Sequence, residues 1–379
     1  MRRRLVACGG DIAKLAEDRT RTLPEVVDEC QRLVMDTDAE RSEGPAHIMA
    51  DFGPWLDDLD ARFQSGGGSR GAPTGFTDLD RLTGGLMPGD LVVLAARPSH
   101  GKTTLALNIA TAFLERGEAV LMFSLEMTRA AICERLIAAR GGLDMTRLRD
   151  ADLSDDDWTR VRKAGSWLQD APLDVDDGSS LSVLEVRSRA RRIARKRDLK
   201  LVIVDYLQMM RGSGRSENRT QEVRQISNGL KALAKELGVP VLALSQLNRK
   251  VEERGNKRPL PSDLRESGDL EQDADLLMFL YRHELYEPHI AAAQGMAELL
   301  IRKQRNGATG DLYLAADMAR CVFRDCDRDA VEDYKRAVIN PPVLSRRRSF
   351  DYESGQDRAT GGTGGLGRHL ATAARSPAH

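Results

Sequence analysis

The sequence predicts an α/β fold: a mostly parallel central sheet covered by helices, preceded by a helical region. Two observations carry the prediction. Through the middle of the chain, short apolar runs at 91–96, 119–125, 201–207, 239–247, 274–280 and 298–301 alternate with helical patterns, and such alternation implies parallel strands with helices packed across them. In addition, the turn Ala96-Arg-Pro-Ser-His-Gly-Lys-Thr103 joins the first run to a helical pattern beginning at Leu105. Ligands of open sheets of this kind bind beyond the carboxyl ends of the strands. Lys102, Glu126, Asp205 and Gln246 all lie at or just after strand ends, which makes them the first candidates for a site.

Composition narrows the class. The 379 residues allow one large domain with appendages. Basic and acidic side chains, 57 and 58, nearly cancel, so contact with nucleic acid must come from local clustering and not from a global positive field. Aromatic residues make up 4%, too few for a single-strand binder built on base stacking. Five cysteines (8, 30, 133, 321 and 326) form no CxxC pair, as expected in a reducing cytoplasm, and Cys321 and Cys326 are too isolated to suggest zinc. No apolar run is long enough to span a bilayer, and the apolar stretch near Met1 is too short for a signal peptide. The expected location is therefore cytoplasmic, with no membrane partner.

Taken in order, residues 1–72 read as helices, with Leu23, Val26, Val27, Cys30, Leu33 and Val34 on one stripe. Gln64-Ser-Gly-Gly-Gly-Ser-Arg-Gly71 has the composition of a flexible linker. A compact α/β domain is expected over 73–325. Within it Val223, Ile226, Leu230, Leu233 and Leu237 trace a helical face, closed by Gly238 and Pro240. From 326 to 379 the composition shifts toward glycine, arginine and serine, which reads as a disordered tail.

Flanked by strand and helix, 96–103 reads as a phosphate-binding P-loop, although Ala96 stands where the first glycine is usual. Inward-pointing N–H groups of the turn and the helix N-terminus would form an anion site from Ser99, Gly101, Lys102, Thr103 and Thr104. Lys102 would reach the β/γ-phosphates of ATP, and the Thr103 hydroxyl would hold Mg²⁺. Leu201-Val-Ile-Val-Asp205 is an apolar strand ending in a carboxylate, which beside Thr103 can order the hydrated Mg²⁺; the bland alternative is a loop cap. Glu126, after the second strand, can polarise water for attack on the γ-phosphate.

These motifs in this order resemble the replicative hexameric DNA helicase family DnaB. The resemblance rests on Thr74-Gly-Phe-Thr-Asp-Leu-Asp80, the P-loop segment, Ser124-Leu-Glu-Met127, Val204-Asp-Tyr-Leu-Gln208, Ala243-Leu-Ser-Gln-Leu-Asn-Arg249, Asp263-Leu-Arg-Glu-Ser-Gly268 and Lys303-Gln-Arg-Asn-Gly307, and the Ala96 departure is usual there. It implies a RecA-like P-loop NTPase motor that hydrolyses ATP and forms a hexameric ring on single-stranded DNA. By the same resemblance Glu126 is the catalytic base and Gln246 the γ-phosphate sensor. Lys303 and Arg305 are supplied to the neighbour's nucleotide, with Arg305 as the arginine finger. Arg265, Glu266 and Gly268 would line the DNA channel. Without the resemblance, Lys303 and Arg305 read as a solvated strand edge.

Thr22 to Glu40 resembles the helix that docks on the adjacent subunit, and a helicase loader is a further partner the resemblance implies. The family's N-terminal collar has no counterpart, since Met1 corresponds to a point after it, which puts primase docking and full ring stability in doubt. A RecA-like recombinase, a clock-type kinase or an idle accessory subunit are the competing classes. The segments at 263–268 and 303–307 favour the helicase over the first two, and intact Lys102, Thr103, Glu126 and Asp205 argue against the third. Two further clusters read as structural. The basic run 187–197 falls on a helix with Val183, Val186, Ala190, Ile193 and Ala194, so a solvated helix face is expected. In His283-Glu-Leu-Tyr-Glu-Pro-His289 the proline interrupts any metal-binding helical spacing, and a surface loop is expected.

Overall fold

A computed structural model describes residues 2–341 apart from 19, 24–25, 28, 31–32, 35–46, 65–68, 211–218 and 265–267. In chain order its elements are α1 (Arg2–Glu17), α2 (Phe52–Gln64), α3 (Thr77–Thr83), β1 (Leu91–Ala96), α4 (Lys102–Glu115), β2 (Ala119–Ser124), α5 (Arg129–Gly141), α6 (Met145–Arg149), α7 (Asp155–Asp170), β3 (Leu173–Asp176), α8 (Val183–Ala194), β4 (Leu199–Asp205), α9 (Arg219–Leu237), β5 (Val241–Gln246), α10 (Gly268–Asp273), β6 (Leu276–Tyr281), β7 (Met296–Gln304), β8 (Gly310–Asp317), β9 (Val322–Asp325) and α11 (Arg328–Tyr334). One sheet takes the strands in the order β3-β2-β4-β5-β1-β6-β7-β8-β9. From β3 to β6 all pairs are parallel; β7, β8 and β9 are added antiparallel.

Each predicted apolar run carries a strand, because strands covered on both faces need apolar residues at every position. β1 is buried along its whole length. Its odd residues Leu91, Val93 and Ala95 belong to the core layer that also holds Val186, Ala190, Ile226, Leu230 and Leu233 of α8 and α9. The even residues Val92, Leu94 and Ala96 belong to the opposite layer, with Leu79, Leu105, Ile109, Phe113 and Ile132 of α3, α4 and α5. Each fully buried Leu, Ile or Phe in these two layers contributes about 1.5–3 kcal/mol of apolar transfer.

The structure departs from the sequence reading in several places. β3, β8 and β9 were not expected, and among the described residues the sheet therefore has three more strands than the apolar runs suggested. The basic face of α8 is engaged in ion pairs and not merely solvated: Arg187 and Arg191 both hold Glu236 of α9, and Arg189 holds Asp176 of β3 at 2.7 Å. Gly71, the last residue of the glycine-rich stretch, belongs to the folded domain. Its N–H donates to Gly84 O at 2.7 Å, and a Cβ there would lie 2.6 Å from Leu86 O.

Past residue 325 the described chain continues as structure to residue 341. It forms α11, whose Tyr334 is fully buried with its hydroxyl donating to Glu298. Residues 342–379, the rest of the expected tail, lie outside the described residues. In the expected loop at 283–289, His283–Leu285 makes a short helical turn, with His283 Nδ1 at 2.9 Å from the Tyr281 hydroxyl. Of the N-terminal apolar stripe, Leu23, Val27 and Val34 are exposed, as are Trp55, Leu56 and Phe63 of α2. No described helix is long and apolar enough to cross a membrane.

Candidate functional site

The carboxyl ends of β1, β2, β4 and β5 meet at one place, fixed by backbone register. Ala96 pairs with Gln246 and Ser124 with Asp205. Leu125 N–H donates to Asp205 O at 2.7 Å, and Leu247 N–H donates to Ala96 O at 3.1 Å. Above these ends opens a cavity of about 640 Å³ lined by Ser99, Gly101, Lys102, Thr103, Thr104, Glu126 and Gln246 among others. That volume lies in the range of small-molecule sites. A second crevice, beside Asp275 and Arg305, holds only about 20 Å³.

The turn after β1 is built for an anion. Ser99 and Gly101 both have positive φ, 67° and 94°. Gly101 is the N-cap of α4 and provides no side-chain cap, so the first N–H groups of the helix have no partner within the chain's own capping chemistry. They open, with the positive end of the helix dipole, into the cavity. Thr103 donates its hydroxyl to Asp205 Oδ2 at 2.7 Å. Lys102 Nζ stands 3.2 Å from Asp205 Oδ1 and 4.6 Å from the centre of the Tyr206 ring. The Lys102 contact lacks hydrogen-bond geometry, so Oδ1, on a fully buried side chain, stays unsatisfied. An orphaned carboxylate oxygen beside a threonine hydroxyl is the oxygen donor set magnesium takes; Thr103 and Asp205 thus fit a hydrated Mg²⁺.

Glu126 is exposed into the cavity just past β2, on a turn held by Ser124, whose Oγ donates to Met127 O at 2.7 Å. A carboxylate with solvent on one side and a phosphate cradle on the other is suited to accept a proton from water. Gln246 ends β5, where Gln208 braces it: Gln208 Nε2 donates to Ser245 Oγ at 2.9 Å and to Gln246 O at 3.2 Å.

Several lining residues were not read from the sequence. Arg97 is buried, donating to Glu252 at 2.8 Å and to Leu247 O at 2.9 Å. Arg282, just after β6, donates to Ser99 O at 3.1 Å and pins the P-loop. Met318 and Cys321 also line the cavity, carried there because the antiparallel strands curl back over α4. Asn108 of α4 fastens that curl, donating to Cys321 O at 3.1 Å and accepting from Phe323 N–H at 2.7 Å. Arg97 and Arg282 had a signal, a cation directly after a strand end; Met318 and Cys321 had none. His100 is buried within the turn, its Nδ1 3.1 Å from Pro98 O and its Nε2 without a partner, and burial pushes its pKa below the usual histidine value.

Lys303 and Arg305 are not in this cavity. β7 runs antiparallel to β6, pairing Gln304 with Leu276, so both residues sit at the amino end of the parallel strands, opposite the P-loop. Lys303 Nζ donates to Gln272 O at 2.7 Å, and Arg305 pairs with Asp275 at 2.9 Å. Burial, with Arg305 nearby, lowers the Lys303 ammonium pKa from the usual lysine value. Gly268 opens α10, whereas Arg265 and Glu266 lie outside the described residues.

Comparison with known proteins agrees with this architecture. The DnaB-like helicase C-terminal domain matches residues 71–325. The replicative DNA helicase DnaB of Haemophilus influenzae is 44% identical over 322 residues, 82% of this chain and 69% of that protein. Among solved structures, one ATPase domain superposes with a TM-score of 0.71 at 35% identity, covering 75% of this chain and 100% of its own. A DnaB-like replicative helicase, solved together with its interactions with primase, reaches a TM-score of 0.73 at 32% identity and covers 86% of this chain and 76% of its own. With its sheet-bearing domain matched throughout and the strand ends arranged as described, the chain belongs to the DnaB-like helicase family.

Proposed function

We propose that this chain is the cytoplasmic motor of a replicative DNA helicase, hydrolysing ATP to move on single-stranded DNA and separate duplex as a six-membered ring. The observation that carries the reading is the joining of Thr103 and Lys102 to the buried Asp205 at the floor of a cavity that Glu126 and Gln246 also line. Thr103 and Asp205 would hold a hydrated Mg²⁺ there, which would supply charge neutralisation to the nucleotide's phosphates.

In this reading the α4 N-terminus and Lys102 hold the phosphates, and Ser99, Gly101 and Thr104 shape the cradle. Glu126 takes the proton of the attacking water. Gln246, reached directly from the P-loop strand, senses whether a γ-phosphate is present. Lys303 and Arg305 act on the nucleotide of the next subunit, because β1 separates them from their own P-loop by five residue steps, about 17 Å of strand. Arg265, Glu266 and Gly268 are proposed to address the DNA backbone.

The test combines ATPase assays with and without single-stranded DNA, strand separation on a forked duplex, and native mass measurement. DNA-stimulated hydrolysis, duplex separation and a hexameric mass are expected. Hydrolysis with strand exchange would indicate a recombinase; phosphate transfer to protein would indicate a kinase.

A further inference from the structure

Asp275 opens the way into β6 and is 4% exposed, yet several donors converge on it. Its Oδ2 accepts from Leu91 N–H at 2.8 Å and from the Lys231 ammonium of α9. Lys231 is itself fixed by donating to Gly89 O at 2.9 Å. The other oxygen, Oδ1, faces Arg305 Nη1 at 2.9 Å. Arg305 Nη2 donates to Gln272 O at 3.2 Å, and Arg305 N–H donates to Asp275 O at 2.9 Å. Backbone and guanidinium of Arg305 are thus held by the same residue, although the side chain is 50% exposed.

An ion pair with a half-exposed arginine adds little to stability. Leu91 and Lys231 already anchor the carboxylate, so its second oxygen has a different consequence: it fixes the orientation of a side chain that otherwise samples many rotamers. We propose that Asp275 is the positioning residue of Arg305, setting the guanidinium before a neighbouring nucleotide meets it. This rests on the reading of Arg305 as a residue that acts in trans.

Asp275→Asn is the sharpest variant. Its amide keeps an oxygen for Leu91 N–H and Lys231 but turns an NH₂ group toward the guanidinium, where a carboxylate had accepted. In the full-length protein, kcat is expected to fall about tenfold through misorientation, well short of the ~10³-fold loss on removing an arginine finger. Affinity for a fluorescent ATP analogue should not change, since the variant's own P-loop is intact.

Subunit mixing separates positioning from a structural role. Asp275→Asn mixed with Glu126→Gln should regain activity, because interfaces form in which a normal Arg305 meets a normal Glu126. Mixing with Arg305→Ala should regain none. Asp275→Glu, which keeps the charge but displaces it by a methylene, should show the same complementation with a milder loss, and it serves if the asparagine variant does not fold. Wild-type turnover in Asp275→Asn, or a loss in both variants that Glu126→Gln subunits do not restore, overturns the proposal. Failure of the underlying reading has a separate signature: Arg305→Ala would itself keep wild-type turnover.

Discussion

Gly101 shows how tightly a single position can be constrained. Its φ is 94°, and a Cβ would lie 2.9 Å from the Phe323 ring and 3.0 Å from Met318 Sδ. Backbone strain and the curled antiparallel strands both exclude a side chain, so Gly101→Ala should lower stability by about 1–3 kcal/mol, read as a fall in Tm. Lys102→Ala should abolish hydrolysis in a folded protein, since the lysine charge serves ground and transition states alike. Glu126→Gln should bind ATP normally and hydrolyse it very slowly; lost binding would make Glu126 structural. His100 adds a pH dependence. Its folded pKa is depressed by burial, as is that of His283, so the unfolded chain binds more protons once pH drops below the unfolded value of about 6.5. Stability is therefore full above that value and declines as pH falls toward the folded pKa values. Melting curves between about pH 7.5 and 5.5 should show this, with a shallower slope in His100→Gln that retains only the His283 share.

At the scale of elements, α11 is tied to the sheet through one buried carboxylate. Glu298 of β7 is fully buried, takes both Arg258 Nε and Nη2 at 2.7 and 2.8 Å, and accepts the Tyr334 hydroxyl. Burial and the Glu298 charge push the Tyr334 phenol upward, which keeps it a donor. Tyr334→Phe leaves that acceptor short of a partner and should cost about 1–3 kcal/mol; an unchanged Tm would show that α11 is held by its apolar contacts alone. Nothing in the sequence pointed to this helix, because a single buried tyrosine gives no periodicity. The same cause hid three strands. β1, β2, β4, β5 and β6 were legible as continuous apolar runs, but β3 (Leu-Asp-Val-Asp) is half-buried at an edge and β8 mixes polar with apolar residues. Of the site, the P-loop, Glu126, Asp205 and Gln246 were legible because each ends or directly follows a strand. Met318 and Cys321 were not, since only the curl fastened by Asn108 delivers them.

For the whole molecule, the proposed ring makes its own predictions. Arg305→Ala and Glu126→Gln should each impair hydrolysis, and mixed subunits should recover part of it; verified exchange without recovery would count against shared sites. Binding to single-stranded DNA should weaken steeply with salt and vary little with sequence, and Arg265→Ala should weaken it uniformly. Deleting residues 1–45 should reduce assembly, because Leu23, Val27 and Val34 expose an apolar stripe that finds a partner surface; light scattering across a concentration series reads the difference. One strand bears on how such a ring keeps time. β1 ends in the P-loop at Ala96, and at Leu91 it exchanges two hydrogen bonds with Asp275, the residue that also grips Arg305. Buried at every position, it cannot yield at one end without disturbing the other. Each subunit would then act as a rocker, with its own fuel at one tip and its neighbour's trigger at the other. Six such rockers in a closed circle would influence one another, so hydrolysis should rise sigmoidally with ATP concentration, and a plain hyperbola would mean that the tips move without each other.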